Sequence, residues 1–244
     1  MLTIDEPQKR NPLSNETMRQ FGEALRTATA DPEVLVIVVT GAGDKAFSAG
    51  GDLSGGFLEN PLASHGDRAA FADLFRLMRR CGKPIVARVN GHALAGGFGL
   101  AAACDIVIAV EDATFGTPEI KVGLWPMMIS AILQRLMPQR AAMELMMTGR
   151  RISAEEALHL GVVSRVVPRE LLDATVDETV AWLLEQSPAQ LKLGKDSFYA
   201  VEDLGLDAAL DHLLIGLTAV GMTEDAPEGV AAFVEKRRPV WKGR

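Results

Sequence analysis

Two glycine-rich turns, FSAGGD at 47–52 and LAGGFG at 94–99, each follow a strand-like run, and a single carboxylate, Glu119, follows in a Gly-Thr-Pro-Glu turn. Such turns leave backbone N–H groups with no side chain over them. Two donors aimed at one point stabilise an oxygen that gains negative charge, as a carbonyl does on becoming an enolate. The second turn opens a short helical segment, so the N–H of Gly96 also stands at a helix amino terminus, facing developing negative charge favourably. Gly116 and Pro118 shape the turn of Glu119, and Leu124, Trp125, Met127 and Met128 follow closely. If those apolar side chains wall the carboxylate, desolvation raises its pKa toward the range useful for proton transfer.

Other readings of the same residues are weaker. A glycine turn taken singly is ordinary tight backbone. Gly97, Gly99 and Ala102 fit a G-x-G-x-x-A dinucleotide fingerprint, with Glu111 beyond the next strand-like run. The next apolar run begins at Cys104, too soon for a βαβ crossover of a dozen or more residues. His65, His92, His159 and His212 show no metal-ligand spacing, so no metal site is expected. His92 lies beside the second glycine turn, where a structural role fits better than a catalytic one. No serine stands in a G-x-S-x-G elbow. The methionines between 127 and 147 read as core filler or pocket lining.

The elements that must position these residues are legible from periodicity. LTIDEP near the start reads as a short strand. Met18, Phe21, Leu25 and Ala28 recur at helical spacing, with Ser14 or Asn15 as a cap. Val34–Thr40, Pro84–Val89 and Cys104–Val110 are apolar runs of strands buried on both faces. Phe71, Leu74, Phe75 and Met78 mark a second amphipathic helix, and a short helix is expected from about Gly97 to Ala103. Beyond Glu119, helices are expected over Met127–Met137 and Arg140–Met147. Ser153 and Glu156 form a capping box for a helix ended by Gly161, and Val162–Val167 forms a strand. After Pro168 the pattern is helical over Leu171–Glu185, Gln190–Tyr199 and Leu206–Val220, with a last turn or two near Phe233. The fold class is α/β, a core of ββα-like units at 1–168 followed by a helical module at 169–244.

The chain has 244 residues, 48% of them hydrophobic and 23% charged, with a net charge of −7, which suits a globular protein with a sizeable core. The acidic balance argues against a broad nucleic-acid surface. No apolar run reaches the roughly 20 residues of a membrane helix, and MLTIDEPQKR lacks a signal core. Two cysteines, Cys81 and Cys104, make no disulfide framework, and a cytoplasmic location is expected.

Several segments in order resemble one family: RNPLS at 10–14, KAFSAGGDL at 45–53, KPIVARVNGHALAGGFGLAAACDIVIA at 83–109, ATFGTPEIKVGL at 113–124, MTGRRISAEEAL at 147–158 and GVAAFVEKR at 229–237. Together they are similar to the crotonase superfamily, the enoyl-CoA hydratase/isomerase family, through almost the whole chain. The resemblance implies a crotonase-like spiral of ββα units with a C-terminal helical trimerisation module, assembled as a homotrimer or a hexamer of paired trimers. It implies an acyl-CoA thioester substrate of fatty-acid metabolism, and no cofactor apart from the coenzyme A carried by the substrate. Carried over residue by residue, the oxyanion donors fall on Gly51 and Gly96 and the acid/base group on Glu119. Ala49, Asp52 and Leu53 flank the first donor, Lys9 and Arg10 match positions that meet the CoA phosphates, and Leu124, Trp125 and Met128 are candidates for the acyl wall.

Two departures from the family pattern bear on the reaction. Hydratases of this family carry two catalytic glutamates; the later one matches Glu119, and the earlier one falls on Gly99. One carboxylate suffices to take a proton from carbon 2 and return it at carbon 4, so the sequence leans toward double-bond isomerisation over hydration. Family members also carry an extra strand before the segment matched by LTIDEP, which leaves one sheet edge short here or places the start upstream. The rival readings are another chemistry of the family, such as decarboxylation or thioester hydrolysis, a CoA-binding protein without turnover, and an RNA-binding side role. Acyl chain length depends on how 57–68 and 124–137 pack.

Overall fold

The computed structural model describes residues 1–52 and 65–244. Along the chain it forms β1 (Leu2–Ile4), β2 (Pro12–Leu13), α1 (Asn15–Ala30), β3 (Ile37–Gly41), β4 (Ala46–Ser48), β5 (Gly50–Gly51), α2 (His65–Arg80), β6 (Ile85–Val89), β7 (His92–Leu94) and α3 (Gly96–Ala102). There follow β8 (Ile106–Val110), β9 (Thr114–Gly116), α4 (Met127–Leu136), α5 (Gln139–Thr148), β10 (Arg151–Ser153), α6 (Ala154–His159), β11 (Arg165–Val167), α7 (Leu172–Leu184), α8 (Pro188–Val201), α9 (Leu206–Gly221) and α10 (Asp225–Glu235). Glu119 lies in a 3-10 turn at Pro118–Val122.

The main sheet has the order β1-β3-β6-β8-β11 and is parallel throughout. Its inner strands, IVVTG, IVARV and IVIAV, are covered on both faces, as a parallel sheet requires, and β1 stands at one edge. Helix α1 is capped by Ser14, whose Oγ accepts the Thr17 N–H at 3.1 Å, and buries Met18, Phe21 and Leu25. It packs on α2, while α7 covers β6 and β8. A second sheet, β10-β9-β7-β4, turns Ala93, Phe115 and Ile152 into the core. A third pairs β2 with β5.

Several expectations shift in detail. The strand expected over Val162–Val167 is confined to Arg165–Val167, because the N–H groups of Val162 and Val163 both bond back to Ala157 O and close α6. Ser153 caps α6 by accepting the Glu156 N–H, but Glu156 pairs with Arg150 instead of completing a reciprocal box. The strand expected from Val34 begins at Ile37.

Helix α8 is pinned to the sheet by a nearly buried network. Asp105 accepts the Lys195 ammonium at 2.7 Å, the Tyr199 hydroxyl at 2.8 Å and the Ile85 N–H at 2.7 Å. Glu202, just past α8, pairs with Arg79 of α2 and with Arg135 of α4. Beyond it, α9 and α10 leave Leu206, Leu214, Ile215, Leu217 and Phe233 exposed. No single helix among the described residues is long and apolar enough to cross a membrane.

Candidate active site

Strands β4, β7 and β9 run parallel and side by side, with Ser48 opposite Ala93 and Leu94 opposite Gly116. Their carboxyl ends therefore deliver residues 49–51, 95–96 and 117–119 to one edge, the place where such sheets bind ligands. The three segments touch. The Ala95 N–H donates to Gly116 O at 2.9 Å. Gly50, at φ +94°, approaches so closely that a Cβ on it would lie 2.5 Å from Ala95 Cβ and 3.2 Å from Gly96 N. Only glycine fits there without strain.

Gly51 pairs in register with Leu13, and Leu13 Cδ1 lies 3.4 Å from where a Cβ on Gly96 would be. Leu13 thus borders both glycine turns. A Cβ on Gly51 would meet nothing within 4 Å among the described residues. The Gly96 N–H lies in the first turn of α3, where the helix offers no acceptor. Ala95 just before it has φ 50° and ψ −129°, a sparsely populated backbone for a residue with a side chain. Such strain costs on the order of 1–3 kcal/mol and gathers where geometry serves a site. Helix α3 has seven residues, so its dipole is small and the amide itself is the main resource.

Glu119 is half-buried, and its Oε2 has no hydrogen-bond partner among the described residues. Burial pushes its carboxyl above the usual carboxylate range, against a smaller lowering by a backbone hydrogen bond within the residue. The Leu124 N–H closes the turn on Glu119 O at 3.0 Å. Thr117 Oγ1, two residues earlier and fully buried, also lacks a partner among the described residues.

The remaining sequence candidates divide. Arg10 and Ala49 line a cleft of about 530 Å³ together with Lys45, Arg151 and Arg169. Lys9 is instead exposed and paired with Glu6 at 2.9 Å. Asp52 is half-buried directly after Gly51, and Leu53 lies outside the described residues. Leu124 and Trp125 are half-buried next to the Glu119 turn. Met128 lines a cavity of about 850 Å³ between α2, α4 and α8 whose described lining includes neither glycine turn nor Glu119. Met127, expected to help wall Glu119, is 70% exposed, because α4 turns Ile129, Ile132 and Leu133 inward and leaves it off that face. His92 bonds Thr114 Oγ1 at 2.9 Å, and burial, with Arg151 and Arg10 nearby, holds it below its ordinary pKa. Among the described residues, no group of three or more His, Cys, Asp or Glu is arranged to hold a metal ion.

Some positioning residues escape sequence reasoning. Asn11, fully buried in the RNPLS segment, donates to Ala42 O and Ala46 O and so holds the start of β4. Ser48 Oγ accepts the Gly50 N–H at 3.1 Å and touches the space where a Cβ on Gly97 would be. Ile129 closes on Gly99, where a Cβ would lie 2.0 Å from its Cγ2. Only the neighbourhood of small residues hinted at these contacts.

The family model for enoyl-CoA hydratase/isomerase matches residues 1–244. The chain belongs to that family. It is similar to a carnitinyl-CoA dehydratase of Salmonella heidelberg, 39% identical over 251 residues that span 100% of this chain and 94% of the relative. Among solved structures it resembles an enoyl-CoA hydratase from Mycobacterium smegmatis, with a TM-score of 0.94, 34% identity, and coverage of 98% of this chain and 93% of that one. An enoyl-CoA hydratase from Bacillus anthracis matches with the same TM-score, 32% identity, and coverage of 99% and 94%. The crotonase fold expected from the sequence is the fold observed, with the helical module after the spiral core.

Proposed function

We propose that this family member binds an acyl-CoA thioester, holds its carbonyl oxygen on the N–H groups of Gly51 and Gly96, and moves one proton with Glu119. The observation that carries the reading is the Glu119 carboxyl, half-buried with an Oε2 that has no partner among the described residues, in the turn that follows β9, the strand paired with β7 just before Gly96. With a 3-enoyl thioester, the carboxylate takes the proton from carbon 2. The electron pair spreads over a dienolate whose charge gathers on the thioester oxygen, where the two amides stabilise it. The protonated Glu119 then returns the proton at carbon 4, and the double bond ends between carbons 2 and 3. Its raised pKa favours the first step, since a base with a pKa nearer the working pH abstracts more readily.

The cleft that Ala49 lines holds Arg10, Lys45 and Arg151 against Asp44, with Arg169 already paired to Asp112 at 2.7 Å, and this excess of cations supports an anionic CoA phosphate there. The exposed apolar faces of α9 and α10, within the 169–244 module, support assembly as a homotrimer or hexamer. A second reading, elimination of water from a 3-hydroxyacyl-CoA, is favoured by the name carnitinyl-CoA dehydratase borne by relatives of this chain. Assaying 3-enoyl-CoA and 2-enoyl-CoA side by side separates the two. Isomerisation above hydration, lost in Glu119→Gln, bears the proposal out. Hydration alone supports the second reading, and CoA binding with no turnover on either substrate leaves a binding protein.

A further inference from the structure

Helix α8 meets the turn between α2 and β6 through a nucleophilic pair that the chemistry of Glu119 does not use. Cys81 follows directly on α2 and is 4% exposed, its Sγ held by Met78 O at 3.4 Å and Lys83 O at 3.3 Å. Lys195, 114 positions further along the chain, brings its ammonium to the same place. Its Nζ donates to Cys81 Sγ at 3.6 Å, to Lys83 O at 2.9 Å and to Asp105 Oδ2 at 2.7 Å. These contacts hold the nitrogen against the sulfur. Asp105 accepts the Tyr199 hydroxyl on its other oxygen at 2.8 Å. A thiol, an amine and a carboxylate able to take the amine's proton thus stand in one nearly buried cluster. The cavity of about 850 Å³ between α2, α4 and α8 offers a small oxidant a way in. Its lining includes Arg80, the residue before Cys81, together with Asp196 and Tyr199, which follow Lys195 on α8. Cys104 differs: its Sγ bonds Leu100 O at 3.4 Å, and burial pushes its thiol well up, which keeps it protonated and inert.

We infer that Cys81 and Lys195 form an oxidative modification site, at which a peroxide joins Sγ to Nζ in a covalent sulfur–nitrogen bridge. Sγ first attacks one peroxide oxygen; the O–O bond breaks, leaving a sulfenic acid and water. Asp105 then accepts a proton from the Lys195 ammonium. The freed lone pair forms the Nζ–Sγ bond, the S–O bond breaks, and the hydroxyl leaves as water with a second proton from the nitrogen. One peroxide is reduced to two waters, the sulfur gives up two electrons, and the bridged residues have lost two hydrogens beyond the proton held by Asp105. The bond staples α8 to the end of α2 and closes a long loop of chain, adding a covalent tie where only hydrogen bonds and an ion pair act in the reduced protein.

The test exposes the full chain to hydrogen peroxide, then reads intact mass, peptide maps made without reductant, and calorimetry. The expected product has lost two hydrogens, joins the peptides of Cys81 and Lys195, and resists trypsin at Lys195. It melts roughly 5–10 °C above the untreated protein, and dithiothreitol reverses every change. Lys195→Arg keeps a cation facing Asp105 but has no nucleophilic amine, and Cys81→Ser keeps the shape without the sulfur. Neither is expected to gain the link or the melting shift. Cys104→Ser is expected to keep both, which separates the bridge from a disulfide of equal mass. A disulfide between Cys81 and Cys104 overturns the inference, as does a cross-link that carries an added oxygen. So does Cys81 oxidised to sulfinic acid with Lys195 still open to trypsin, or peroxide treatment that leaves both residues unchanged.

Discussion

A carboxylate that draws a proton from carbon gains by being kept from water, and Glu119 is held so at a cost to the fold. In the proposed role Glu119 acts as a base and works ionised, so kcat/KM is expected to fall as pH drops through its pKa. The midpoint should lie above the usual carboxylate value, as the raised pKa requires. Glu119→Gln should lower kcat roughly a hundredfold or more with little change in KM, and a near-normal rate would remove the residue from the mechanism. The same burial sets a stability trend. Between the unfolded and folded pKa the native state holds the extra proton, so stability declines as pH rises across that window and stays reduced above it. Glu119→Gln should therefore melt higher than the wild type at pH 8, with the gap closing toward pH 4; thermal scans at the two pH values check this. The glycine pair and Glu119 were legible because small residues and a lone acid in turns are unusual enough to notice. Ile129 and Asn11 were not, since a buried isoleucine and a loop asparagine look alike whatever they hold in place.

The long apolar strands and amphipathic helices showed plainly in the sequence, whereas β4, β5, β7 and β9, which build the site, are two or three residues each and too short for an alternating pattern to register. What makes them a site is contact between chain segments far apart in sequence, such as Gly50 against Ala95. Gly50→Ala would force a methyl into that contact at positive φ and should lower both melting temperature and activity, since it pushes the first turn off the second. The anchor of α8 has the opposite legibility: its helical pattern was clear, its attachment was not. Lys195 is only 8% exposed at its side chain. Asp105→Ala would leave that ammonium buried without its counter-charge, at about 3–5 kcal/mol and roughly 10 °C in melting temperature. A shift of a degree or two in calorimetry would show that the network contributes little.

At the scale of the molecule, the module built on α8, α9 and α10 presents apolar side chains that a lone chain would leave in water. Replacing Leu214 and Ile215 with glutamate should convert a trimeric or hexameric species to a monomer in analytical ultracentrifugation; a wild type that sediments as a monomer would refute the assembly. The helical character of this region was evident from its periodicity, but its uncovered apolar faces were visible only once the fold showed which side chains stay exposed. One feature of that module reaches back to the core. Arg79 and Arg135 sit on the two helices that supply Phe75 and Ile129, and both grip the same acid, Glu202, from outside. A single carboxylate thereby clasps α2 to α4 from the surface, so concentrated salt, which screens such pairs, should loosen the contact between these two helices before it unfolds the protein.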